Sequence, residues 1–201
     1  MKFIKILLIL SVFLSCTTED DFVPFQVEQV FSDNLDKVIK VDIIYVQSSS
    51  GHCSYNLNET NFIHNLNGNF FHRYGIGLEK GVIKTIINDE LYDLRDNRGQ
   101  ESSVFLTETQ DSYDENRLSI YIIKRAHTVA IAGIGKDQRA LITDEFLETT
   151  TVPHEIGHAL GLFHYHEEGN IMGQIRPHMR KEFTNTQTDR MKNTITKIVG
   201  I

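Results

Sequence analysis

Three histidines, a glutamate and a glycine between Thr151 and His164 carry the chemical potential of this 201-residue chain. In the run Thr-Val-Pro-His-Glu-Ile-Gly-His-Ala-Leu-Gly-Leu-Phe-His, His154 and His158 stand four apart and share one face of a helix, so both imidazoles aim at one point. Glu155 lies beside them, and Ile156, Ala159 and Leu160 give the helix an apolar side to bury. Gly161 suits the left-handed conformation that ends a helix and turns the chain back, which brings His164 to the same point. Three neutral imidazoles plus a water form the open tetrahedral arrangement of catalytic rather than structural zinc. Pro153 has no N–H to give a helix interior, so the helix is expected to start near Thr151 with that hydroxyl as its cap; a start near Asp144 would bring a kink.

The pattern His-Glu-x-x-His-x-x-Gly-x-x-His followed by a methionine resembles the signature of the metzincin clan of zinc metalloproteases. Met172 looks like the methionine of the turn beneath the metal-binding imidazoles, and its eight-residue distance from His164 is similar to the short spacing of the matrixin family. The resemblance implies Zn2+ as cofactor, His154, His158 and His164 as its ligands, and Met172 as a packing residue. It further implies an edge strand that pairs with an extended substrate, for which Val129 to Ile134 is the candidate, and a specificity pocket walled by Gly173 to His178. Gln174 stands where astacins place a tyrosine near the metal, so no tyrosine ligand is expected. The metal-binding loop of matrixins is missing; His52, His64, His72, His127, His166 and His178 are read as non-ligands, and Asp111, Asp114 and Glu115 as a solvated loop rather than a calcium site.

The elements that must position these residues follow from periodicity. Lys37–Val46, Val82–Ile87, Leu118–Ile123, Val129–Ile134 and Ala140–Thr143 read as strands, and Phe62 to Tyr74 as a helix weakened by Asn67-Gly68-Asn69 and stopped by Gly75. Asp93 to Ser103 reads as loop. Thr184 and Gln187 stand at capping-box spacing ahead of Met191, Ile195 and Ile198, which predicts a C-terminal helix. The expected fold is an α/β (α+β) metzincin-like zincin domain with a mixed, mostly parallel twisted sheet, an active-site helix and a C-terminal helix.

Residues 1–15 join a basic start, Lys2 and Lys5, to an apolar run too short to span a bilayer, and end before Cys16 in a pattern that resembles a bacterial lipoprotein signal. A plain secretory signal with an incidental Cys16 is the alternative. On the first reading Cys16 carries lipid, residues 16–35 form an acidic tether, and 36–201 form one catalytic domain anchored to the outer membrane and exposed at the cell surface. Cys53 is then unpaired, a buried small hydrophobe or a reactive thiol. Removing residues 1–15 takes away two lysines and no acid, moving the net charge from −7 to −9, which argues against a nucleic-acid partner. A monomer without a large pro-domain or accessory domain is expected. Asp20, Asp21 or Asp33 could act as a short inhibitory segment, against the reading of a plain tether.

The expected activity is zinc-dependent endopeptidase cleavage of an extended peptide or protein, with Glu155 as the general base that takes the proton of the attacking water. The rival is a catalytically silent, metal-containing surface-binding lipoprotein, which has no need of Glu155. A zinc hydrolase acting on something other than peptides is a third reading.

Overall fold

Strands buried on both faces need continuous apolar runs, and Leu118–Ile123, in which all six residues are buried, is such a run. It is the centre of a five-stranded sheet in the computed structural model, which describes residues 28–51, 55–92, 94, 99–124 and 133–200. The strands are β1 (Lys37–Gln47), β2 (Ile76–Ile87), β3 (Leu118–Ile123), β4 (Gly133–Lys136) and β5 (Arg139–Thr143). Their order is β2-β1-β3-β5-β4. The first three neighbouring pairs are parallel and β4 runs antiparallel to β5, so the sheet is mixed and mostly parallel as expected.

Helices α1 (Glu59–Leu66), α4 (Thr151–Ala159) and α5 (Asn185–Val199) cover one face of the sheet, and α2 (Asp89–Tyr92) and α3 (Glu101–Glu108) the other. The larger core joins Ile39, Val41 and Ile43 of β1 to Ile156 and Leu160 around α4 and to Met191 and Ile195 of α5. The smaller one packs Ile44, Tyr121 and Leu141 on Leu91 and Phe105. Alternate residues of β1 thus serve opposite cores, as the period of two requires.

Several expectations need correction. The helix expected from Phe62 to Tyr74 is α-helical only to Leu66; a wider π turn (Asn67–Phe71) and a 3-10 turn (His72–Tyr74) complete it, and Gly75 ends it at φ 71°. Asn67 explains the change of winding, because its buried amide donates to Leu78 O and accepts from Leu78 N, both at 2.9 Å, clamping the turn to β2. That strand begins at Ile76, six residues before the apolar run that announced it. The stretch expected as loop ends inside α3, whose weak amphipathicity hid it around the single fully buried Phe105. Of the Val129–Ile134 strand, Gly133 onward lies in β4; Val129 to Ala132, His127, His52, Cys53 and Cys16 fall outside the described residues.

Candidate metal centre

Helix α4 starts where Pro153 requires. Thr151, Val152 and Pro153 occupy its first turn, where no intrahelical acceptor awaits the missing N–H. The cap differs from the expected one. Thr149 Oγ1 accepts the Thr151 N–H at 3.2 Å, Thr150 donates its hydroxyl to Pro177 O, and the Thr151 hydroxyl is buried without a hydrogen-bond partner. The helix ends in a Schellman turn. Gly161 N–H donates to His158 O and Leu162 N–H to Gly157 O, both at 2.9 Å, while Gly161 sits at φ 87°. This turn reverses the chain, and Tyr165 N–H donates to Met172 O at 3.0 Å to close the segment that carries His164.

The three imidazoles meet as the spacing predicted. His158 Nε2 lies 3.1 Å from His154 Nε2 and 3.1 Å from His164 Nε2, and the three ligand atoms fall within 4.8 Å of one another. A tetrahedral zinc with Zn–N bonds of ~2.0–2.1 Å would separate its ligand atoms by about 3.3 Å, so the spacing fits. The hydrogen bonds behind the rings set the tautomer. His154 Nδ1–H donates to Ile171 O at 2.7 Å and His158 Nδ1–H to Leu162 O at 2.9 Å, leaving both Nε2 atoms as bare lone pairs aimed at a common point. Burial disfavours the protonated rings: His154 is pushed down to about 3, and His158 and His164 are lowered by the same cause. Converging lone pairs on imidazoles held neutral repel one another unless a cation lies between them. His154 is buried and His164 exposed, which leaves one side of the centre open.

Two close approaches frame the centre. At 100° per residue, Glu155 and Gly157 project about 80° to either side of the line midway between His154 and His158. On the first flank β4 presses against α4: a Cβ on Gly135 would lie 1.9 Å from Glu155 O, and the Gly135 N–H donates to the Glu155 carboxylate. On the second, Met172 fills the space left by Gly157, where a Cβ would stand 2.4 Å from Sδ. Met172 is fully buried against Gly157, on the helix that carries His154 and His158. Glu155 is 7% exposed, and burial raises its carboxyl to about 7 against the opposing pull of the Arg180 charge and the Gly135 N–H.

Sequence reasoning missed three groups that hold or border the centre. Asn170, buried, accepts from Met172 N at 2.8 Å and pairs with Gln187, the capping-box residue of α5. Arg180 is 9% exposed and donates from Nε to Gly173 O at 3.0 Å. Gly135 lies one residue past the expected edge strand Val129 to Ile134, inside β4. No local pattern marks Asn170 or Arg180, because their partners are fixed by the return of the chain after Met172. The residues read as non-ligands stay apart where they are described. His64 stacks on Phe31, His72 accepts from Ser32 N, and neither His166 nor His178 joins the cluster. Asp33 lies beside His72 and not at the imidazoles.

Among solved structures, the chain is similar to archaemetzincin from Methanopyrus kandleri, with 14% identity, a TM-score of 0.52, and coverage of 79% of this chain and 96% of that one. It is also similar to metalloproteinase-II from Bacteroides fragilis, with 18% identity and a TM-score of 0.48, over 82% of this chain and 58% of the other. No curated protein matches. At the level of sequence, the model of the family described as Matrixin matches residues 46–198, from the end of β1 to the last turn of α5. Because that span includes the imidazole cluster and every element that orients it, the chain belongs to the matrixin family and is a zinc metallopeptidase acting on peptide substrates.

Proposed function

We propose that the protein is an endopeptidase in which Glu155 is the general base, with His154, His158 and His164 as the zinc ligands. The observation that supports this most directly is the seating of Glu155: a nearly buried carboxyl on the flank of the histidine face, raised to about 7 by burial and held by the Gly135 N–H. A carboxyl poised near neutrality both accepts and returns a proton at little cost. Bound zinc supplies Lewis acidity, polarising the scissile carbonyl and acidifying the attacking water. Glu155 takes the proton of that water and passes it to the leaving nitrogen. The peptide lies along β4, the edge strand beside α4, and its backbone pairs with the side of that strand that no described strand occupies. Gly173 to His178 wall the pocket beside the centre, held by the bond from Thr150 to Pro177 O and by the Arg180 bond to Gly173 O.

Glu155→Gln should retain one zinc per chain while cleavage of an unfolded protein falls about 10²- to 10⁴-fold, whereas His158→Ala should lose metal and activity together. Full activity in metal-loaded Glu155→Gln would sink the mechanism. Zinc binding with no cleavage across varied substrates would favour the silent binding protein. A fragment pattern without internal cuts would remove the endopeptidase reading.

The location is proposed from the sequence: export, lipid on Cys16, and an acidic tether that displays a monomeric domain at the outer membrane. The mass of the mature protein tests it, since a chain starting at Cys16 without added acyl groups excludes the anchor.

A further inference from the structure

Arg139 and Arg180 are both buried arginines, 4% and 9% exposed, and the contrast between them is informative. Arg139 is consumed by the fold. Its Nη1 donates to Leu106 O and Thr109 Oγ1, both at 3.1 Å, its Nε donates to Asp137 O, and its guanidinium stacks on Tyr113 at 4.1 Å. Arg180 uses Nε alone, on Gly173 O, the carbonyl immediately after Met172. Among the described residues its two terminal nitrogens donate to nothing, and no carboxylate lies within ion-pair distance of it. Neither terminal nitrogen is among the fully enclosed atoms without a partner, so neither is wholly sealed in. Gly173 follows Met172, which packs on Gly157 of the helix that carries His154 and His158, and the Arg180 charge is felt by Glu155 and by all three imidazoles, so the head lies near the centre. The nearby Glu155 carboxylate accepts from the Gly135 N–H and lies beyond ion-pair distance of the guanidinium.

A nearly buried cation whose charge is met only by Glu155, from beyond ion-pair distance, is incompletely compensated, and a guanidinium pinned at Nε presents a rigid, planar pair of N–H donors. That fork matches one ligand chemistry best, two oxygens of a carboxylate. We propose that Arg180 is a specificity-determining residue that binds a carboxylate of the peptide substrate next to the scissile bond, from an acidic side chain or from the chain terminus. The proposal rests on the peptidase reading for its ligand and goes beyond it in naming what the peptide must carry.

The test uses the zinc-loaded protein and a set of quenched fluorescent peptides of one sequence, with Glu or Gln placed in turn at each of the three positions on either side of the cut. The parent peptide is also supplied with a free or an amidated C-terminus. At one position Glu should exceed Gln in kcat/KM by about tenfold or more, the scale of a charge-assisted bidentate contact. Arg180→Met should bring that ratio to about one, and Arg180→Lys should keep part of it, as a charge without the fork. Preference for the free over the amidated terminus assigns the carboxylate to the chain end; preference for internal Glu assigns it to a side chain. The proposal is overturned by the absence of carboxylate preference in the wild type, by a preference unchanged in Arg180→Met, or by an equal loss on acidic and neutral peptides, which would mark a role at the reacting carbonyl. Zinc content and thermal transition check that the variants fold; should Arg180→Met fail to fold, the wild-type ratios and Arg180→Lys decide. Binding of the same peptides to zinc-loaded Glu155→Gln, read by fluorescence anisotropy, separates the two claims. A Glu preference there, with no turnover of any peptide by the wild type, would refute the peptidase reading and leave the carboxylate site standing.

Discussion

The side chains of Asn170 and Gln187 form a reciprocal amide pair: Asn170 Nδ2 donates to Gln187 Oε1 at 2.9 Å, and Gln187 Nε2 returns a bond to Asn170 Oδ1 at 3.0 Å. Each oxygen also serves the backbone. Asn170 Oδ1 accepts from Met172 N and Gln187 Oε1 from Thr184 N, so one pair fixes both the turn under the metal centre and the start of α5. Because both residues are buried, losing one leaves polar atoms of the other without partners. Asn170→Leu and Gln187→Leu should each destabilise the fold by about 1–3 kcal/mol in urea unfolding. The double variant should cost less than the sum of the two, and additive effects would show that the pair is not coupled.

The two glycines that flank the centre should respond differently to a methyl group. At Gly135 the added carbon meets the backbone of α4, Glu155 O at 1.9 Å, and neither strand nor helix yields without moving the other. At Gly157 it meets Met172 Sδ, the middle of a flexible side chain. Gly135→Ala should therefore cost more than Gly157→Ala, which falls in the range of about 1–3 kcal/mol for overpacking. Chemical denaturation checks the order. Shortening Met172 in the Gly157→Ala background should recover part of the loss, as it makes room for the methyl.

Gly161 poses a purely conformational question, since a Cβ there would have only ordinary contacts, the nearest being Thr194 Oγ1 at 3.5 Å. Its φ of 87° is the constraint. Gly161→Ala should cost roughly 1–2 kcal/mol, while Gly161→Asn, which tolerates the left-handed region better, should cost less. The turn delivers His164, so zinc competition with a chelator should show weaker metal retention in the same order.

Acidification should loosen the segment before β1. Ser32 N donates to His72 Nδ1 at 3.2 Å, a bond that requires the unprotonated nitrogen, and Phe31 packs edge-on against the same ring. Burial chiefly, and the charge of His64 next, hold His72 below its ordinary 6.5, with Asp33 opposing. A group lowered on folding takes up its proton first in the unfolded chain. The stabilisation is therefore complete above about 6.5 and is lost as pH falls through the lowered folded value. Limited proteolysis across residues 28–36 should quicken between pH 7 and pH 5. His72→Asn, whose Oδ1 can accept the Ser32 bond at any pH, should abolish the difference.

The sequence by itself determined the chemistry of the centre. Residues four apart must share a helical face and a glycine at the helix end must allow reversal, so His154, His158, Gly161 and His164 were legible as one cluster, and the capping box at Thr184 and Gln187 was legible for the same local reason. Strands β1, β3 and β5 were readable as apolar runs, though β2 was read six residues short because Ile76 to Gly81 mixes apolar, charged and glycine positions, and β4, Gly-Ile-Gly-Lys, overlaps the expected strand only at Gly133 and Ile134. Tertiary structure decided what lies around the metal site. It carried Asn170 to Gln187, seventeen residues away, brought Gly135 of β4 against Glu155 of α4, and buried Arg180 against Gly173 O, just after Met172. Those contacts depend on how layers pack and where loops return, and a hydrogen bond between residues distant in sequence leaves no periodicity for a reader of the chain to find.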